Sequence, residues 1–184
     1  MRSKFSSKKT DYDGSQLRSH FIFEKFGIAG DAIVSFTGAC DVKEHMVDLE
    51  DISKSEFIKS ADMLHFLIEH FDNDLERTIL RKRLLIAIIQ EEICKAAGKP
   101  VLIRKGNGLY SGNRKLTVSV ATASSVSTLI HAGLNITSEK APVPVSTLSE
   151  FNIVPKKLAG IVMSRYCYEM DSVSSSRAKV RPVR

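Results

Sequence analysis

At 184 residues, 43% hydrophobic and 26% charged, the chain is long enough for one well-buried core, too short for two ordinary ones, and too apolar to be disordered. A formal charge of +6 raises nucleic acid as a partner, yet no aromatic-rich RNA-binding pattern or zinc-finger spacing accompanies it. No apolar run approaches the roughly 18 residues of a membrane span, and Cys40, Cys94 and Cys167, odd in number and far apart, exclude a disulfide framework or paired-cysteine zinc site. The expectation is a cytoplasmic protein with no membrane partner.

In chain order, residues 1–10 are polar, charged and aperiodic, and read as a disordered basic tail. A single domain is expected over 11–171, followed by a basic C-terminal tail over 172–184. Asp11-Tyr-Asp-Gly suits a turn, and Leu17 to Phe26 reads equally as strand or short helix. Ala32 to Phe36 reads as a strand closed by Thr37-Gly38, and Cys40 to Asp51 as a polar, acidic loop. Alternation from Met63 to His70 predicts a strand with Leu64, Phe66 and Ile68 on one face. A helix is predicted from about Asp74 to Ala97, with Asn73 and Glu76 as a capping box and a stripe of Leu75, Ile79, Ile86, Ile89, Ile93 and Ala97. Gly98 and Pro100 end it. Strands at 101–105, 115–122 and 126–136, joined by the turn-rich Gly106 to Asn113, predict an antiparallel meander. A last helix runs from Pro155 to about Met170.

Arg104 to Val120 resembles the biotin protein ligase segment KWPNDLY…RKLAGIL, with Asn107, Leu109, Tyr110, Arg114, Lys115 and Leu116 at matching positions. His131-Ala-Gly-Leu-Asn135-Ile resembles the GIGIN strand of those ligases and the HGxALNV strand of octanoyltransferases, and Ala141 to Phe151 a PVTSLxEL run. From Asp11 to Phe21, Gly38 to Val42, Glu44 to Asp51 and Ser127 to His131, the chain is identified as a member of the largely archaeal domain-of-unknown-function 366 family. The resemblance implies an α+β fold, a mostly antiparallel sheet with packed helices, of the class II aminoacyl-tRNA synthetase and biotin/lipoate ligase kind. It also implies a ligase or transferase acting on a small organic acid or heterocycle, with ATP and magnesium if a ligase.

In that chemistry Lys115 would be the catalytic group, holding a substrate carboxylate and neutralising developing charge. Asn107 would face the substrate or nucleotide, with Arg18, His20, His131 and Asn135 as further substrate-binding candidates. Each has a plainer reading: an exposed strand lysine, a turn asparagine between glycines, a satisfied core histidine. The chain also departs from the pattern. It has no Arg/Gly-rich phosphate loop, Cys40 to Asp51 standing in that place; Gly108 replaces the Asp after the matched Asn; and Thr137-Ser-Glu-Lys stands where octanoyltransferases carry a nucleophilic Cys. The acidic loop itself, with Glu44 and Asp48 on one helical face, offers Cys40, Glu44, His45 and Asp48 as weak metal ligands, against a solvated loop. Arg18, Ser19 and His20 could face it from an opening strand, Arg18 holding a carboxylate bidentately. The alternatives are a non-catalytic binding or oligomerisation module, a homodimer fitting either case, and an RNA-associated protein using the basic tails and the group Arg77, Arg81, Lys82 and Arg83.

Overall fold

The computed structural model describes residues 1–54 and 58–183. Its described residues form β1 (Arg2–Phe5), α1 (Phe21–Phe26), β2 (Ala32–Val42), α2 (Leu49–Ser53), β3 (Ile58–His70), α3 (Leu75–Ala97), β4 (Ile103–Lys105), β5 (Gly108–Ser111), β6 (Arg114–Lys115), β7 (Thr117–Ala123), β8 (Thr128–Asn135) and α4 (Pro155–Lys179). Five strands make one sheet in the order β1-β2-β3-β8-β7, antiparallel except for β1 against β2, and β4-β5-β6 make a small second sheet.

Period-two alternation divides the central strands between two cores. Leu64, Phe66 and Ile68 of β3 face Leu85, Ile86, Ile89 and Ile93 of α3 and Val162 and Tyr166 of α4. Met63 and Leu67 point the other way, into a second cluster with Tyr12, Leu17, Ile22, Val34 and Phe36. The α3 helix begins one residue later than the capping box predicts. Asp74 is its cap, accepting the Arg77 amide at 2.8 Å, while the Asn73 side chain donates to the Ser125 carbonyl. At the other end Gly98 is left-handed with φ 69°, as a helix-ending glycine should be. Leu75 is 41% exposed, and Thr78, Lys82 and Leu85 take buried places on this face instead.

Both tails are more ordered than composition suggests. Residues 2–5 form an edge strand, Phe5 packs on the main core, and the Met1 amine lies 3.1 Å from Asp171. Charged Arg2 and Lys4 on so short an edge strand discourage further strand pairing. The last helix continues through 172–179, nine residues past the expected end; Arg184 lies outside the described residues. Low hydrophobicity hid both: the N-terminal strand is held by pairing with β2 and by Phe5 on the core, while the almost wholly exposed residues 172–179 extend a helix anchored earlier by Leu158, Val162 and Tyr166. The meander is also divided: Gly108–Ser111, expected as turn, is β5, and only β7 and β8 pair as neighbours in the large sheet.

Helix α4 is fastened to the sheet by a polar relay. His70 Nδ1 lies 3.0 Å from Asp31 Oδ2, and His70 Nε2 lies 3.0 Å from the hydroxyl of fully buried Tyr166. The His70 hydrogen bond holds the Asp31 carboxyl below the usual carboxylate range, against the opposing effect of burial. Tyr166→Phe should therefore lower stability by about 1–2 kcal/mol with the fold retained, measured as a reduced urea midpoint at unchanged slope.

Candidate ligand-binding site

The site starts at a close approach of backbone to backbone. A Cβ on Gly38 would lie 2.1 Å from the Thr10 carbonyl oxygen, so only glycine lets residues 10–12 cross β2 here. The crossing segment bonds to β2 through Thr10 N to Thr37 O, Tyr12 N to Ala39 O and Asp41 N to Tyr12 O, at 2.9, 2.9 and 3.0 Å. It carries Tyr12, 3% exposed, onto the sheet face opposite α3 and α4. Gly38→Ala should cost about 2–3 kcal/mol, as overpacking against rigid backbone does, and a urea midpoint equal to wild type would contradict this.

Under Tyr12 lie two buried histidines from adjacent strands. The Tyr12 ring stacks on His131 at 3.7 Å between centroids and 9° between planes, and Phe36 stacks on His65 at 5.1 Å. His65 Nδ1 is 3.1 Å from His131 Nε2, and His65 Nε2 is 3.2 Å from the Gly38 carbonyl oxygen. Burial pushes His65 down to about 4 and His131 well below the ordinary imidazole range, with the His65 charge adding to the effect on His131. Burial likewise raises the Tyr12 phenol and pushes the Cys40 thiol up to about 12, so Cys40 is no ready nucleophile.

Beside this stack opens a cavity of about 340 Å³, lined among others by Tyr12, Cys40, Ser60, Met63, Asn107, Lys115, Ser119, His131 and Asn135. A bulge sets part of its wall: between the pairs Gly38–Met63 and Cys40–Ser60, β3 advances three residues while β2 advances two. The extra residue reverses the alternation, turning Ser60 and Ile58 to the face of Met63. Lys115 reaches the cavity across Gly108. A Cβ there would fall 3.2 Å from Lys115 Cε and 2.9 Å from Tyr110 Cε2, so a larger residue at 108 would displace the ends of both side chains. Arg114, the neighbouring matched residue, is engaged by Glu150 at 2.6 and 2.9 Å.

Of the residues singled out in the sequence, Lys115, Asn107, His131 and Asn135 converge on this cavity. Arg18 and His20 do not line it. They sit in a turn rather than an opening strand; Arg18 is paired with Glu24, and the His20 ring, at φ 65°, packs on Phe71 at 5.6 Å. The metal proposal fails geometrically: among the described residues no group of three or more His, Cys, Asp or Glu is placed to hold an ion. Cys40 is on the wall, and His45 and Asp48 line the mouth, but Glu44 does not. Asp48 caps α2 by accepting the Glu50 amide at 3.0 Å, so Glu44 and Asp48 share no helical face. Tyr12 and His65 were missed as site residues. Tyr12 read as part of a turn, and His65 as one position in an alternating strand. The available clue was a second histidine with the parity of Met63 and Leu67.

Both imidazoles are neutral in the folded protein and titrate near the ordinary value when unfolded. The unfolded chain therefore takes up protons that the native state refuses, and stability falls as pH drops below about 6.5. For His65 the loss runs down to about pH 4, at up to about 1.4 kcal/mol per pH unit. Urea midpoints from pH 7 to 4.5 should decline, and the decline should be shallower in His131→Phe. A slope unchanged by that substitution would contradict the assignment.

The antiparallel sheet with helices on one face and a cavity on the other defines the catalytic-domain fold of the biotin and lipoate protein ligases. It superposes on a biotin protein ligase mutant of Aquifex aeolicus in complex with biotin with a TM-score of 0.60 at 13% identity, covering 93% of this chain and 70% of that one. Against a T. acidophilum protein with bound lipoic acid the TM-score is 0.56 at 14% identity, covering 92% and 85%. The chain belongs to the family described as Domain of unknown function (DUF366), whose model matches residues 1–181. An uncharacterised protein of Methanocaldococcus jannaschii is 35% identical, over 97% of this chain and 84% of that protein. A Pyrococcus horikoshi protein of unknown function superposes with a TM-score of 0.92 at 36% identity, covering 100% and 99%.

Proposed function

We propose that this protein binds a small organic acid or heterocycle in the cavity beside Tyr12, as a ligase- or transferase-type enzyme in which Lys115 holds the acid group. The carrying observation is convergence: Lys115 of β6, Asn107 of the β4–β5 turn, and His131 and Asn135 of β8 line one small cavity. Its volume of about 340 Å³ falls in the range of small-molecule sites, roughly 300–1,000 Å³. Two ammonium groups line it; Lys59 lies 3.8 Å from Asp41, and Lys115, the one at a position matching the ligase pattern, can fix a carboxylate and offset negative charge as it develops on reaction.

Magnesium–ATP does not fit the residues present. No arginine lines the cavity among the described residues, and Asp48 and Asp51 face it where a phosphate cradle would need donors. Carboxylates there repel a triphosphate, and no step of the proposal runs through nucleotide. That same observation favours a second reading, a ligand-binding module without adenylating activity. RNA gains no support, since two of the clustered cations are engaged: Arg77 pairs with Asp74 at 2.9 Å and Arg81 with Asp72 at 2.7 Å.

The test is a thermal-shift panel of biotin, lipoate, octanoate, amino acids and nitrogen-heterocyclic acids, with and without ATP–magnesium, on wild type and Lys115→Ala. At least one acid should raise the melting temperature of wild type, and Lys115→Ala should weaken its binding by about tenfold or more. Stabilisation unaffected by the substitution would remove Lys115 from the site. Stabilisation that requires ATP would overturn the nucleotide argument.

A further inference from the structure

The hydrogen bond from the histidine pair to Gly38 fixes where both rings carry their protons. A carbonyl oxygen only accepts, so His65 Nε2 bears the hydrogen that meets Gly38 O at 3.2 Å. His65 Nδ1 is then a lone pair, and the 3.1 Å contact requires His131 Nε2 to donate. A neutral imidazole has a single N–H, which leaves His131 Nδ1 as a lone pair too. No described residue hydrogen-bonds to it. On the same strand Asn135, 6% exposed, gives its side-chain N–H to Leu116 O at 3.2 Å, leaving Oδ1 without a donor among the described residues.

We infer that the inner wall of the cavity is a subsite for a heterocycle bearing ring N–H donors, read by His131 Nδ1 and Asn135 Oδ1. The inference rests on the reading that Lys115 holds the acid end of the same ligand. It divides the ligand classes that the fold alone leaves together. An alkyl acid would bury its chain against acceptors that stay unpaired, and would bind about tenfold more weakly or worse. A nitrogen heterocycle satisfies them and is selected by the same factor. The rigidity of the acceptors adds to this. Tyr12 holds the His131 ring flat, and His65 and Gly38 prevent it from turning to present an N–H instead.

The probes are orotate, 1,3-dimethylorotate and octanoate, each titrated by NMR against 15N-histidine-labelled full-length protein. Long-range 1H–15N spectra without ligand should show His65 and His131 both protonated at Nε2; an Nδ1–H form of His131 overturns the inference before any ligand is added. Orotate should bind and shift His131 Nδ1, while its dimethyl derivative and octanoate should bind about tenfold more weakly or worse. Lys115→Ala should weaken orotate and dimethylorotate by the same factor. Equal binding of orotate and dimethylorotate, both dependent on Lys115, would overturn the N–H subsite and leave the acid-binding function standing. Binding of none of the three would count against both. His131→Phe keeps an aromatic stack with Tyr12 without the acceptor, and should abolish the preference for orotate over dimethylorotate. Should that variant not fold, the protonation of His131 and the methylation comparison in wild type test the inference unaided.

Discussion

Everything on the cavity side of the sheet depends on one place where two backbones nearly touch. The absent side chain of Gly38 lets residues 10–12 cross β2, and the crossing lays Tyr12 over His131. The Gly38 carbonyl then supplies the acceptor that orders His65, and through it His131. A single residue thus sets the position of an aromatic wall and the direction of a buried hydrogen-bond chain. Polar chains of this kind are costly when incomplete and rigid when satisfied. This one is satisfied at its protein end by the Gly38 carbonyl, and its other end, His131 Nδ1, is where the proposed ligand would pair.

The two faces of the sheet divide the tasks of the chain. On one, α3 and α4 bury an almost wholly apolar core, with the His70–Tyr166 hydrogen bond as a polar fastening. On the other, the N-terminal segment covers only part of the strands, and the remainder is the cavity. The bulge in β3 turns Ser60 toward that cavity, and the small second sheet brings Lys115 and Asn107 to its rim. A ligand there would contact groups from β3, β8 and the β5–β6 region together, so the scaffold fixes their spacing without any one loop having to close.

Much of this was legible in the sequence. Long periodic signals survived folding: the alternation of Leu64, Phe66 and Ile68, and the helix ended by Gly98, stand where physical reading puts them. The resemblance singled out Lys115, Asn107, His131 and Asn135, which line one cavity; His131 and Asn135, four apart on β8, keep one face as strand residues do. What stayed hidden depends on long-range contact. Residues 2–5 have no periodicity, and become a strand only because β2 offers them an edge. Arg18 and His20, read on an opening strand, are in a turn: Arg18 shares a shallow hollow with His45, Met46 and Val47 of the acidic loop but is paired with Glu24, and His20 packs on Phe71. Tyr12 and His65 are separated by more than fifty positions in the chain, and only the crossing at Gly38 makes neighbours of them.

The central claim is that the Lys115 ammonium and the His131 lone pair belong to one ligand site. It is tested most directly by titrating a bound heterocyclic acid while following the side-chain nitrogens of Lys115 and His131 in the same NMR samples. The account predicts that both resonances move along a single saturation curve with one dissociation constant. Saturation of one while the other stays still, or two curves with different constants, would show separate sites and contradict it.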